Sequence, residues 1–345
     1  MTVKLRQTKV AVVALILAAG FACSAAAGPL EDGVAAYERG DFTAALRFWR
    51  PLADQGHVKV QYLLGIMYKS GEGVTRDYAA AMSWFRKAAD QGHVLAQFEL
   101  GLMYDEGEGV PQDRAAAINW YRKAADQGNP WAQYNLGTAF FDGRGVPQDY
   151  AAAAIWFRKA ADQGFDRAQF NLGLMYDQGE GVPQDRAAAI NWYRKAAEQG
   201  IAEAQNNLGH KYKNGYGVPR DYGAALSWFR KAAEQNQPEG QFNLGDLLLE
   251  GHGIPQDYAA AMTWFQKAAD QGERDAQFKL GFMYVKGLGV RQDKVTAHMW
   301  FKLAAAAGLK EAEENLELVA KIMTPEQIAE AQRLTREWKP KSPPR

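Results

Sequence analysis

Between residues 93 and 128 the apolar positions follow two helical periods separated by a break. Ala96, Leu100, Met103 and Tyr104 fall at i, i+4, i+7 and i+8, which is one helix face. Gly107-Glu108-Gly109-Val110-Pro111-Gln112 then interrupts the period, since glycine permits positive φ and proline cannot continue a helix. Asp113 stands where a carboxylate caps a new helix, and Ala117, Trp120, Tyr121 and Ala124 share its face until Gly128 ends it. The pattern predicts a helix A, a turn and a helix B, with no strand period anywhere.

The same residue types return every 36 positions. Gly65, Gly101, Gly137, Gly173, Gly209, Gly245 and Gly281 form one column. Trp84, Trp120, Trp156, Trp192, Trp228, Trp264 and Trp300 form a second, and Asp77, Asp113, Asp149, Asp185, Asp221, Asp257 and Asp293 a third. Seven copies in register predict a tandem array over residues 57–308, in which each unit buries its apolar faces only against its neighbours. Small residues at Gly101, Ala117 and Ala124 are expected to let helix backbones approach, with aromatic rings filling the space beside them. Residues 28–56 repeat the outer columns at Tyr37, Ala45, Trp49 and Gly56 around a shortened turn, Gly40-Asp41, and are expected to be a capping helix pair. At the other end Glu317 replaces the repeated glycine, so closing helices are expected over 309–338. The last begins at the capping box Thr324-Pro325-Glu326-Gln327, and 339–345 is a basic, proline-rich tail.

Composition changes the picture mainly at the N-terminus. The apolar run Val10 to Ala19 follows Lys4, Arg6 and Lys9 and precedes Ala25, Ala26, Ala27 and Gly28, the pattern of a signal peptide over 1–27 and of export to the periplasm or outside the cell. The chain carries 40 basic and 40 acidic residues; loss of those three basic groups and no acidic one leaves 37 against 40. Cleavage near Gly28 also removes Cys23, the one cysteine, and with it any disulfide, thiolate metal site or cysteine nucleophile. Lipidation of Cys23 is the alternative, and the one route to a membrane.

The unit Ala-Gln-x-x-Leu-Gly-x-Met-Tyr-x-x-Gly-x-Gly-Val-Pro-x-Asp, followed by Ala-x-x-Trp-Tyr-Arg-Lys-Ala-Ala-x-x-Gly, as at Ala96 to Gly128, resembles the Sel-1-like repeat, a subclass of tetratricopeptide-like repeats. The resemblance implies an all-α, right-handed α/α superhelical solenoid that acts as a scaffold or adaptor for a protein or peptide partner, bound on the concave face lined by helix A. Several bacterial members of the family are exported, some are disulfide-bridged and some bind β-lactams. The absence of a cysteine after Gly28 separates this chain from the bridged group.

Helix A positions that point away from the repeated core are therefore the candidate partner contacts. Asn135, Asn171, Asn207 and Asn243 form a ladder whose carboxamides can both donate to and accept from a peptide backbone. Phe98, Tyr134 and Phe170 belong to an aromatic stripe beside it. Four net hydrogen bonds at about 1 kcal/mol each give only millimolar affinity, so apolar anchors are needed. Trp131, where other units carry Leu95, Lys59 or Glu203, and Phe141, where they carry Asp105 or Lys213, break the repeat pattern and are the best anchors; Leu95, Leu102 and Leu174 extend the patch. The competing reading is that the Asn and aromatic columns only pack the repeats.

Other chemistry is poorly supported. The Gly-x-Gly turns lack the strand and the lysine of a phosphate loop, the histidines lack metal-ligand spacing, and the acidic residues around Asp113 do not match a calcium loop. Five serines, with no Ser-x-x-Lys and no Gly-x-Ser-x-Gly, argue against a β-lactam hydrolase or similar envelope enzyme. An RNA-reading helical repeat is disfavoured by export and an acidic mature chain. No cofactor or metal is expected, and Arg122-Lys123 beside Asp126 reads as an ion-paired exterior.

Overall fold

The structure, a computed structural model, describes residues 28–341; the expected signal peptide, Cys23 and residues 342–345 of the tail lie outside the described residues. The described residues form eighteen helices and no strand. They divide into two compact units, the first ending at Phe165 and the second beginning at Asp166.

The first unit holds four pairs: α1 (Pro29–Glu38) with α2 (Phe42–Asp54), α3 (Val58–Ser70) with α4 (Tyr78–Asp90), α5 (Val94–Glu106) with α6 (Arg114–Asp126), and α7 (Pro130–Asp142) with α8 (Tyr150–Asp162). The second holds α9 (Asp166–Gln178) with α10 (Arg186–Glu198), α11 (Ala202–Asn214) with α12 (Tyr222–Glu234), α13 (Pro238–Glu250) with α14 (Tyr258–Asp270), and α15 (Arg274–Lys286) with α16 (Lys294–Ala306). It closes with α17 (Lys310–Ala320) and α18 (Pro325–Glu337). Each A helix lies against its own B helix, and within each unit each B helix lies against the next A helix. None of the described helices is long and apolar enough to cross a membrane.

Local signals set the helix ends. Asp77, Asp113 and Asp149 each accept from the backbone N–H three residues on, at 2.9 Å, so each B helix starts on a capped donor. Gly107 ends α5 at φ 74°, and the second glycine of the turn, Gly109 at φ 79°, lies so close to Tyr78 of the preceding B helix that a Cβ would come within 2.7 Å of it. The Gly-x-Gly turn is therefore an inter-repeat contact as well as a turn. Thr324 and Gln327 form the expected capping box at the start of α18, whose Trp338 meets Trp300 edge to face at 6.1 Å.

Two packing details differ from the expectation. The repeated helix A glycine does not admit a neighbouring backbone; it makes room for an aromatic ring from helix B. A Cβ on Gly101 would stand 2.4 Å from the ring of Tyr121, and one on Gly137 2.6 Å from that of Phe157. Lys123, read as part of an ion-paired exterior, lies 4.1 Å over the Trp120 ring, and the Arg86 guanidinium covers the same ring at 4.8 Å. Both cations stay exposed at their charged ends while their stems and heads cover the indole, whose π face and apolar surface hold them there.

The stacking also has a polar seam. Gln97 is 5% exposed; its amide donates to the Ala89 carbonyl at 3.1 Å and its oxygen accepts from Gln127 at 2.7 Å. Gln61 and Gln133 in the first unit, and Gln205 and Gln241 in the second, make the same pair of bonds. Each such glutamine ties the end of one B helix to the end of the next. The seam stops at Gln277, whose oxygen is buried without a partner because the donor position thirty residues on is Ala307. Ala307→Gln should supply that donor and raise stability by about 0.5–1.5 kcal/mol, the worth of one net hydrogen bond. Chemical denaturation checks this: an unchanged midpoint counts against the seam as a stabilising feature.

Candidate functional site: the open faces of the A helices

Within the first unit, α7 carries Trp131, Tyr134, Asn135, Thr138 and Phe141 at i, i+3, i+4, i+7 and i+10, and Tyr134 also packs at 5.7 Å on Phe157 of its own B helix. Trp131 and Tyr134 are half-buried and meet over one ring, Phe165: Trp131 edge-on at 6.4 Å and Tyr134 at 5.0 Å. Phe165 went unnoticed in the sequence. Its column holds His93, Asn129, Gln237 and Glu273, which cap the following helix, and the apolar Ile201 and Leu309, which make no side-chain cap. Phe141 packs edge-on against Tyr150 at 5.1 Å and lies 6.5 Å from Phe157, so its ring leans towards its own B helix rather than towards Trp131. Leu102 packs with Trp131 on the cluster that contains Phe98, whereas Leu95 belongs to the neighbouring cluster around Tyr62. Phe98 itself is 4% exposed and is part of the core.

The asparagines turn inward. Asn135 faces the Tyr121 hydroxyl, which in turn reaches Asp105 at 3.5 Å. Burial, followed by the nearby Asp105 charge, holds the Tyr121 phenol far above its ordinary pKa. In the second unit Asn207 bonds Tyr193 and the Tyr193 hydroxyl reaches Asp177 at 3.4 Å, the same relay. Asn243 is buried and donates to the Asn206 oxygen at 2.8 Å, with His210 at 2.9 Å. These carboxamides spend their bonding capacity inside the array, because a half-buried amide beside a buried phenol is satisfied there first. Asn171, Phe170 and Leu174 are half-buried in the second unit.

Ion pairs join these faces in both units: in the first, Lys69 meets Glu99 at 3.1 Å and Glu108 at 3.0 Å; in the second, Lys211 bonds both oxygens of Asp177 at 2.6 Å, and Asp246 sits between Lys213 at 2.9 Å and Lys279 at 2.7 Å. The surroundings of α7 are aromatic and aliphatic instead. Burial would raise the Asp246 pKa, but the two ammonium groups outweigh it and hold the carboxyl below its usual range.

One titratable group tests the capping logic of the first unit. His93 accepts the Ala96 N–H on Nδ1 at 3.2 Å and stacks on Tyr62 at 4.7 Å; burial, and then the charge of Lys59, push its pKa down to about 4. The unfolded chain binds this proton below about 6.5 while the folded one refuses it until about 4, so stability should fall as pH drops through that window. The loss should reach about 1–2 kcal/mol, allowing for the partial solvent access of the ring. Asn129 caps the next A helix from the same column, at 2.8 Å. His93→Asn should therefore keep the cap and flatten that part of the pH–stability curve; an equally steep curve would remove His93 as its source.

The Sel1 repeat family model matches the chain eight times, at residues 22–57, 58–93, 94–129, 132–165, 166–201, 202–237, 238–273 and 274–309, so the N-terminal capping pair falls within a copy of its own. The chain is similar to a Sel1 repeat protein from Oxalobacter formigenes of known structure, with 34% identity over 89% of this chain and 99% of that one and a TM-score of 0.64. It is also similar to c5321, a protective antigen present in uropathogenic Escherichia coli strains and displaying an SLR fold, with 30% identity over 90% of this chain and 91% of that one and a TM-score of 0.42. No curated protein matches the chain.

Proposed function

Because the chain belongs to the Sel1 repeat family, whose members generally mediate protein–protein interactions, we propose that it is a non-enzymatic scaffold or adaptor of the cell envelope or secreted space. It holds a protein or peptide partner on the open face of its A helices, centred in the first unit on Trp131 and Tyr134. The observation that carries this reading is the half-buried ring cluster Trp131–Phe165–Tyr134, in which Trp131 breaks the repeat pattern and Phe165 is the one phenyl ring in its column. Packing between repeats is already served by the second turn glycine against the preceding B helix, as at Gly109 with Tyr78 and Gly253 with Tyr222, and by the glutamine contacts, both of which recur along both units. Large aromatic rings at a partly open position supply contact area at low entropic cost, which is what a docking anchor needs.

Affinity capture from an envelope extract with the chain beginning at Gly28, followed by mass spectrometry, should return a partner that a Trp131→Ala, Tyr134→Ala double variant no longer retains. Equal recovery by the folded double variant would move the docking surface elsewhere, and recovery of nothing by the unaltered chain would count against the scaffold role. The envelope location is supported by the Lys4, Arg6, Lys9 and Val10–Ala19 pattern and is tested by fractionation. Protein beginning near Gly28 outside the cytoplasm is expected. Intact protein retaining Met1 in the cytosol would overturn export, and an acylated Cys23 at the N-terminus would replace soluble release with a lipid anchor.

A further inference from the structure

Beside the ring cluster, the first unit contains a cavity of about 40 Å³ between α5, α6 and α7, lined among others by Asp105, Arg114, Tyr134, Thr138, Ala139 and Arg144. Two substitutions within the repeat pattern open it. Ala139 occupies the column that holds Met67 and Met103 in the first unit and Met175, Leu247 and Met283 in the second, all of them core side chains; Thr138 occupies the column of Leu102 and Leu174. A third changes its charge, because Arg144 stands where the column holds Glu72, Glu108 and Glu180, and Tyr216, His252 and Leu288 in the remaining repeats. The pattern thus departs from itself at three positions around one small space.

The bonding capacity of the wall is one-sided. Asp105, the one carboxylate lining the cavity, is already engaged by the Tyr121 hydroxyl at 3.5 Å and faces the Arg114 guanidinium at 3.7 Å. Asn135 faces the Tyr121 hydroxyl. The Thr138 hydroxyl is buried without a partner, and the Arg144 guanidinium is held through one nitrogen, by Asp142 at 2.6 Å. What remains is a hydroxyl and the unused N–H groups of two guanidiniums, converging on room for a small head group. In the second unit the corresponding column holds Lys211, whose amine fills the space against Asp177, so the vacancy belongs to the repeat built on α7.

We propose that this cavity is a carboxylate slot, in which Arg114, Arg144 and the Thr138 hydroxyl receive a carboxylate presented by a partner whose apolar portion rests on Tyr134 and Trp131. The inference rests on the docking reading above and supplies its polar specificity. A planar anion with two acceptor oxygens matches the forked guanidinium donors, and desolvation against Ile118 and Ala139 strengthens the contact.

The test uses the full mature chain labelled at the Ile118 δ1 methyl, which lines the slot, and follows its NMR shift on titration. N-acetylglutamate α-amide presents a side-chain carboxylate, N-acetylalanine a terminal one, and N-acetylglutamine amide is the neutral isostere. At least one carboxylate probe should give a saturable shift, with an affinity at least tenfold above that of the neutral isostere. Whichever of the two binds more tightly identifies the partner group as an acidic side chain or a chain terminus. Ala139→Met fills the slot and Arg144→Glu reverses its charge. Each installs a residue the chain already uses in that column, so both should fold, and each should weaken the carboxylate probe at least tenfold. Equal response to the carboxamide, no saturable shift, or undiminished binding by folded Ala139→Met would overturn the slot. Loss of the slot alongside continued dependence of partner capture on Trp131 would leave the docking face standing, whereas a working slot with no captured partner would refute the docking face alone.

Discussion

Trp120→Ala should lower stability by about 3–5 kcal/mol, while Trp131→Ala lowers it by about 1 kcal/mol or less and weakens partner capture by about 2 kcal/mol, near thirtyfold. The two tryptophans sit in different environments. Trp120 is 6% exposed, belongs to the core cluster that includes Tyr62 and Phe85, and is covered on its face by Arg86 and Lys123. Its truncation removes apolar burial, opens a cavity and takes away the ring that both cations cover. Trp131 is half-buried at the start of α7 and touches Phe165 with one edge, so its truncation removes surface that a partner would otherwise cover. Melting and capture measured on both variants separate the two roles. Matching stability losses, with capture falling only as far as the fold does, would reduce Trp131 to inter-repeat packing.

Gly101→Ala should destabilise by about 2–3 kcal/mol, the reverse of what helix propensity implies. In the middle of a helix, alanine is normally worth up to about 1 kcal/mol more than glycine. Here the added methyl would lie 2.4 Å from the Tyr121 ring, which is 2% exposed and tied through its hydroxyl to Asn135 and Asp105, so it has no free direction in which to move. Gly223 is the internal control. It lies in the first turn of α12, a Cβ there meets only the Asp221 cap oxygen at 3.3 Å, and the same column elsewhere holds Ala79, Ala115, Ala151, Ala187 and Ala259. Gly223→Ala should therefore be neutral or stabilising by up to about 1 kcal/mol. Denaturation of the two variants in parallel decides the matter: if Gly101→Ala also stabilises, the ring slot is not a tight contact.

The charge of the second unit has a smaller but readable consequence. Asp246 keeps its proton off below the ordinary carboxylate range because Lys213 and Lys279 bond it. Its contribution to stability is present above the unfolded pKa and disappears as pH falls through the lower folded one. It therefore adds to the acid side of the curve, below the window assigned to His93.

The 36-residue period, the two helices of each unit and their ends were legible from the chain alone, because each depends on neighbours within a few residues. Asp113 caps a helix wherever three free backbone donors follow it, Gly107 ends one by taking positive φ, and Thr324 with Gln327 makes a capping box on its own. The spacing of Ala96, Leu100 and Met103 likewise determined which face of α5 would be buried. Side chains meeting across 16 to 36 positions of sequence were decided only by tertiary structure. Spacing alone could not show that the repeated glutamine would link the ends of successive B helices, or that Asn135 would turn to Tyr121. It also could not show that Phe165 would close a ring cluster with Trp131 and Tyr134, or that Ala139 would leave a cavity where Met103 fills its own repeat. A local period fixes the direction in which a side chain leaves its helix. What it meets there depends on which residue the next repeat brings into the same volume, and at a half-buried position the balance between an internal bond and an open one is set by that neighbour.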